Sequence, residues 1–170
     1  MIQHDNILLN KLAEIKCALD ISLYNCALAL ALTIPDVCGK IKYPGLSVAE
    51  RYKSWFDEYA KKYFTSIATK LPEESKVEYT WLTSDECYAL RCAVLHAGDY
   101  KATGIDLTQI HIHAHKRDGD NYSHIIRDNR FADWDVIVLC ENLCKAAQEY
   151  YNSVDDKECF DLDEVRIDTW

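Results

Sequence analysis

The chain has little glycine, little proline and no long apolar run. Five glycines and three prolines among 170 residues exclude a collagen-like or linker-rich chain and disfavour a turn-dense all-β fold. The best apolar run, residues 26–34, is too short to cross a bilayer, which takes about 20 residues. Polar residues interrupt the start of the chain, so no secretion signal is predicted. We therefore expect a cytoplasmic protein with no membrane partner.

Basic charge is also scarce. The chain carries 19 Lys and Arg against 28 Asp and Glu, a net charge of -9. Residues 155–170 account for -5 of this and residues 1–154 for only -4. Proteins that coat duplex DNA through its phosphates are basic overall, so wrapping of nucleic acid is disfavoured. A catalytic encounter with RNA at one local site is compatible with this charge.

Paired cysteines and nucleotide-binding loops are missing as well. None of the eight cysteines forms a C-x-x-C pair, which excludes a zinc ribbon or a thioredoxin-type motif. Most of them lie in apolar, helix-periodic stretches, so we expect reduced and mostly buried thiols. The chain has no Gly-rich phosphate loop and no Ser nucleophile elbow. We expect neither a cofactor nor a metal.

Helical periodicity dominates what is present. Two capping boxes, Ser47 with Glu50 and Thr83 with Glu86, mark helix starts. Pro35 should kink or interrupt the second helix. A stripe of aromatic residues and Ile67 follows the first capping box as one core face, and a polar connection follows over residues 71–81. The expected helices are residues 5–20, 21–42, 48–67, 84–97 and 134–151.

Strict alternation of apolar and polar residues over 110–115 predicts a strand, and residues 122–126 are its expected return strand. The fold class predicted is therefore all-α, a bundle of about five helices with a small β-hairpin, residues 108–127, inserted before the last helix. Residues 1–154 form the one domain, and residues 155–170 form a loosely attached acidic tail.

Three histidines, His111, His113 and His115, fall on one face of this strand. Two neighbours on such a face can chelate a metal, which leaves a metal hydrolase as one interpretation of the chain. The other interpretation is a polar strand face, with Ile110 and Ile112 turned toward the core.

The sharpest chemical pattern is Arg91 followed, after four residues, by His96 on the short helix. RNA cleavage without metal needs a proton taken from a ribose 2′-OH and one given to the leaving 5′-oxygen, and histidine suits either role. Arg offers fixed donors to the developing negative charge. At about 100° per residue the two side chains fall roughly 140° apart, so one straight helix needs the long Arg side chain to bend round or a symmetric partner to supply a second pair.

An Arg-x4-His motif on a helix of a helical domain, preceded here by Cys87 to Leu90, resembles the HEPN family. The resemblance implies a HEPN-like bundle and a metal-independent endoribonuclease, leaving 2′,3′-cyclic phosphate and 5′-hydroxyl ends. It also implies a homodimer with two motifs across a two-fold axis, and a toxin or antiviral-defence role under an inhibitory or regulatory protein partner. Cys92 departs from the polar residue that the family often has after the Arg.

Several basic residues near the predicted hairpin are expected to bind substrate phosphates: Lys116, Arg117, Arg127 and Arg130. Asp36 either lies near the active helix or serves a turn inside its own helix. The alternative function is a non-catalytic HEPN-like binding module, in which Arg91 is a surface side chain and His96 caps helix carbonyls.

Overall fold

The computed structural model describes residues 6–70, 75–97, 109–114, 126–127 and 131–161, and these are mainly helical. Within these ranges no helix is long and apolar enough to cross a membrane. The helices are α1 (Ile7–Asp20), α2 (Tyr24–Ala31), α3 (Ile34–Lys42), α4 (Val48–Trp55), α5 (Ser84–Cys92) and α6 (Val136–Ser153). The strands are β1 (Thr65–Lys70), β2 (Ser75–Thr80), β3 (Gln109–His113), β4 (Ile126–Arg127) and β5 (Phe131–Asp135).

The predicted second helix is two helices, α2 and α3, with a break at Leu32 and Thr33. Pro35 lies in the first turn of α3, where its missing N–H leaves no helical bond unmade. The hydroxyl of Thr33 donates to the carbonyl of Leu30 at 2.7 Å and closes the end of α2. The interruption expected from Pro35 is confirmed, and it falls just before the proline.

Both predicted capping boxes are confirmed. At the start of α4 the Ser47 hydroxyl accepts the amide of Glu50, and the Glu50 carboxylate accepts the amide of Ser47. Thr83 and Glu86 do the same at the start of α5, with the Glu86 carboxylate 2.8 Å from the Thr83 amide nitrogen. These caps fix where the helices that carry Arg51 and Arg91 begin.

The structure corrects the prediction for residues 61–81. The helical segment ends at Phe64, and β1 then pairs with β2 in an antiparallel hairpin, so the predicted polar connection is wrong. Ile67, expected on the buried stripe, is 71% exposed. β-Branched residues alternate along β1, which favours a pleated strand over a helix.

The predicted hairpin at residues 108–127 is also wrong in its pairing. β3 runs parallel to β5, and the short β4 pairs antiparallel with β5, which is the central strand. Trp134 and Asp135, expected at the start of the last helix, belong to β5 instead. Ala132 and Trp134 are buried on one face of β5, and Asp135 caps α6 by accepting from Ile137 at 2.8 Å.

The core lies where α6 packs against α1, α2 and α3, and α4 continues this layer to α5. Its largest members are tryptophans 55, 81 and 134, with Tyr52 and Tyr150 beside them. The attachment expected for the tail is wrong for residues 155–161. Phe160 is fully buried against Tyr150 and Tyr151, and Asp161 forms a β-bridge with Asn6.

The cysteines are free thiols, and fewer are buried than expected. Cys38, Cys87 and Cys140 are buried, whereas Cys17, Cys26 and Cys159 are exposed and the other two are intermediate. Cys17 and Cys26 lie on exposed faces of α1 and α2, and Cys159 lies in the chain after α6. A residue with apolar neighbours in the sequence can still face solvent.

Candidate active site

Arg91 and His96 are in direct contact within one chain. Arg91 Nη1 lies 3.1 Å from His96 Nε2. A guanidinium can only donate, so a hydrogen bond at this distance uses Nε2 as the acceptor. The contact thus directs His96 Nε2 toward the arginine.

A change in helix type brings the two side chains together. α5 ends at Cys92, and residues Ala93–Ala97 form a π-helical turn. Backbone bonds in such a turn run from residue i to i+5, so residues five apart lie nearly above one another. The expectation that Arg91 and His96 diverge by roughly 140° assumed a uniform α-helix, and it is wrong for this reason.

Asp36 joins two arginines at the same place. Arg91 Nη2 donates to one carboxylate oxygen of Asp36 at 3.0 Å, and Arg51 Nη2 donates to the other at 3.1 Å. All three side chains are largely buried, between 16% and 21% exposed. Asp36 thus lies beside the active helix, and the turn role inside α3 is not its main contact.

A close approach of α3 and α4 makes this bridge possible. A Cβ added to Gly39 would lie 2.6 Å from the carbonyl oxygen of Arg51, closer than real Cβ contacts come. Gly39 is one turn after Asp36, so the missing side chain lets the backbone of α4 come within reach of the Asp36 carboxylate. Neither Gly39 nor Arg51 was identified from the sequence. The sequence signal that could have identified Arg51 is an arginine on the core side of α4, one turn after the start of a capping box.

The surroundings of Arg91 favour its charged form. Burial lowers the pKa of Arg91, but its contact with Cys92 and the charge of Asp36 outweigh burial and raise that pKa above its ordinary value. The Nε atoms of both arginines are buried without a hydrogen-bond partner in the described part of the chain. Both guanidinium groups therefore hold donor capacity beyond what Asp36 and His96 use.

Tyr52 and Cys87 lie next to this cluster and are chemically quiet. The Tyr52 hydroxyl donates to the carbonyl of Leu32 at 3.0 Å and lies 3.4 Å from the Cys87 sulfur. Burial raises the pKa of Tyr52 well above its ordinary value and that of Cys87 to about 12. Cys87 is therefore a protonated thiol, not a nucleophile.

Cys92, the departure from the family motif, contributes only a weak contact. Its sulfur lies 4.0 Å from Arg91 Nη1, at the limit for a sulfur hydrogen bond. The closer polar contact of Arg91 comes from another helix, from Asp36 at 3.0 Å. The orientation of Arg91 thus depends on packing between α3, α4 and α5.

No contact among the described residues links the other predicted site residues to the cluster of Asp36, Arg51, Arg91 and His96. Arg127 is in β4, and Lys116, Arg117 and Arg130 lie outside the described residues, as does His115. His113 Nδ1 lies 2.5 Å from Asp133 Oδ1, because the parallel pairing of β3 and β5 brings the two together. His111 faces solvent. In the described ranges no three His, Cys, Asp or Glu side chains form a group fit to hold a metal ion.

Comparisons with models of protein families, with curated proteins and with solved structures find no match to this chain. The site is therefore interpreted from its own geometry. That geometry comprises an imidazole, a guanidinium in contact with it, a carboxylate that orients the guanidinium, and a second guanidinium on the same carboxylate.

Proposed function

We propose that this chain is a metal-independent endoribonuclease with a HEPN-like bundle, acting in the cytoplasm as a homodimer. The observation that carries the proposal is the 3.1 Å contact between Arg91 Nη1 and His96 Nε2. It joins a proton acceptor to a fixed cation, the two groups that a phosphodiester transesterification requires. An effector role in toxicity or antiviral defence, restrained by a regulatory protein, is part of the same proposal.

In the proposed reaction His96 Nε2 takes the proton of the ribose 2′-OH. The 2′-oxygen attacks phosphorus, a bond forms between them, and the bond from phosphorus to the 5′-oxygen breaks. The His96 of the second copy, in its protonated form, gives a proton to the leaving 5′-oxygen. The products are a 2′,3′-cyclic phosphate and a 5′-hydroxyl, and water is not a reactant in this step.

Arg91 stabilises the charge that develops on the phosphoryl oxygens. Its contact with His96 must open when substrate enters, because a phosphate oxygen and Nε2 compete for the same donor. Asp36 keeps the guanidinium at the site while that exchange occurs. Fixed donors of this kind contribute about 10²–10³-fold in rate where single donors have been removed.

The number of proton transfers in the reaction supports the homodimer. The reaction needs one base and one acid, and among the described residues the cluster of Arg91, Arg51 and Asp36 contacts one histidine, His96. A second copy of the chain supplies a second histidine. Static light scattering at micromolar concentration should give about twice the mass of the chain, and a monomer with full activity would contradict the dimer.

The cleavage test uses a chelator and a matched pair of substrates. We expect RNA to be cleaved equally with and without EDTA, and an RNA with one 2′-deoxy nucleotide at the cut site to resist at that position alone. Inhibition by EDTA with recovery in Zn²⁺ or Mn²⁺ would favour the metal hydrolase interpretation. Products with 5′-phosphate ends would contradict the proposed nucleophile.

A non-catalytic RNA-binding module is the second candidate. The observation in its favour is that Arg91 and His96 satisfy one another, as a structural pair would. That interpretation expects binding of RNA without cleavage, and equal binding by wild type and His96→Ala. Cleavage that depends on His96 would reject it.

A further inference from the structure

Arg51 bonds to the carboxylate that orients Arg91, yet it has no contact with His96 among the described residues. Asp36 alone would neutralise Arg91, leaving an oriented guanidinium with no net charge to offer. Arg51 occupies the other oxygen of Asp36, at 3.1 Å. At their formal charges, Arg51, Arg91 and Asp36 together carry one net positive charge.

The neighbouring side chains of Tyr52, Tyr88 and Cys87 add no charge to the cluster. The pKa values of the Tyr52 and Tyr88 hydroxyls are both raised, chiefly by burial, and burial raises that of Cys87 to about 12. All three are uncharged near neutral pH. The chain as a whole carries -9, so a largely buried cluster with one net positive charge stands out in this protein and offers an anion a favourable place to bind.

We infer that Arg51 sets the charge of this site to match one phosphodiester, so that the site selects an internal phosphate of a nucleic-acid strand. An internal phosphodiester carries one negative charge, whereas a terminal phosphate monoester carries about -1.5 to -2 at neutral pH. Arg51 is thus a specificity-determining residue, and Asp36 orients Arg91 without cancelling it. The inference depends on the proposed function for its substrate class, and its test is independent of cleavage.

The experiment measures binding of a fluorescent 2′-deoxy oligonucleotide, with and without a 5′-phosphate, by anisotropy at pH 7.5 and low salt. Such a strand has no 2′-OH and is not cleaved by the proposed reaction. Arg51→Gln lowers the site charge to zero and should weaken binding about three- to tenfold, the scale of a unit-charge interaction in a partly solvated site. Arg51→Lys keeps the charge and should stay within about twofold of wild type.

Asp36→Asn should have the opposite effect. It raises the site charge by one, so binding should tighten about three- to tenfold and the strand with a 5′-phosphate should become the preferred one. The double variant with Arg51→Gln returns the charge to one and should bind within about threefold of wild type. The exposed pair Lys62–Glu149 provides matched controls, since Lys62→Gln and Glu149→Gln make the same charge changes elsewhere.

A purely structural role for the cluster would weaken binding in both single variants, and that result overturns the inference. So would equal shifts in the Lys62 and Glu149 controls, or no binding by wild type. If Arg51→Gln does not fold, Asp36→Asn decides alone, because tighter binding supports the inference and weaker binding rejects it. RNA that is never cleaved would reject the proposed function, while the order of affinities would still test the role of Arg51.

Discussion

Arg91 Nη1 donates to His96 Nε2 across 3.1 Å, although four residues separate the two in a helix whose regular form would turn them apart. The π-helical turn Ala93–Ala97 removes that divergence inside one chain. A second copy is therefore not required to bring an arginine to a histidine. The role proposed for the second copy is to supply the second proton-transfer group.

Gly39→Ala tests the close approach of α3 and α4. Alanine is the better helix former by about 0.5–1 kcal/mol, but its Cβ would lie 2.6 Å from the backbone oxygen of Arg51. Overpacking of this kind costs about 1–3 kcal/mol, so we expect a lower free energy of unfolding in urea and weaker RNA cleavage. Gly45→Ala is the matched control, because nothing lies within 4 Å of its Cβ. Equal stability of the two variants would contradict the predicted clash.

Thr83→Ala tests how firmly α5 is anchored at its start. The variant loses the hydroxyl that accepts from the Glu86 amide, and such caps contribute about 0.5–2 kcal/mol. For a chain of this size that is roughly 2–4 °C in Tm per kcal/mol. Thr83→Ser keeps the hydroxyl and should unfold within a degree or so of wild type. A Tm unchanged in Thr83→Ala would show that the cap contributes nothing to α5.

The thiols provide a test of the fold that involves no activity. Cys17, Cys26 and Cys159 are exposed, so an aromatic disulfide reagent in excess should modify three thiols rapidly at pH 8. Cys38, Cys87 and Cys140 are buried, and burial raises the pKa of each. They should react only after unfolding. Rapid modification of Cys87, identified by mass spectrometry, would contradict the packing of α5 against α4.

His113 is predicted to be a structural residue. His113→Ala should remove the contact with Asp133 and lower stability, while RNA cleavage per folded molecule should stay within about twofold of wild type. His111→Ala, at an exposed position, should likewise leave RNA cleavage within about twofold of wild type. A loss of more than tenfold in cleavage for either variant, recovered by added Zn²⁺, would return these histidines to the active site.

Most of the correct sequence predictions came from patterns among residues close together in the chain. The capping boxes, the break near Pro35 and the apolar periods of α1 and α6 depend on residues close in sequence, and all were predicted. The predictions for both β regions were wrong: the β1–β2 hairpin was predicted as a helix end and a polar connection, and the 108–127 hairpin has a different pairing. The pairing of β1 with β2 and of β3 with β5 is set by contacts that no short-range period encodes. β1 follows a helical segment with no Pro or Gly between them, so the local sequence gives little indication that a strand begins there.

In the candidate site, too, the residues close in sequence were predicted more readily than those far apart in sequence. Four residues separate Arg91 from His96, and this spacing, with the helical context and the family resemblance, identified them as a candidate pair. Asp36 and Arg51 lie 55 and 40 residues before Arg91, so their contacts arise only when α3, α4 and α5 pack. The contact between the pair itself depends on a π-helical turn, for which Ala93 to Ala97 has no recognisable signature.

The most direct test of the central claim is the rate of single-turnover RNA cleavage in the presence of EDTA by four proteins: wild type, Arg91→Ala, His96→Ala and the double variant. We expect losses of about 10²–10³-fold for Arg91→Ala and about 10²–10⁴-fold for His96→Ala, with circular dichroism unchanged. Because the two residues act as a unit, the double variant should be little slower than the slower single variant. Cleavage at the wild-type rate by the double variant would contradict the proposed mechanism.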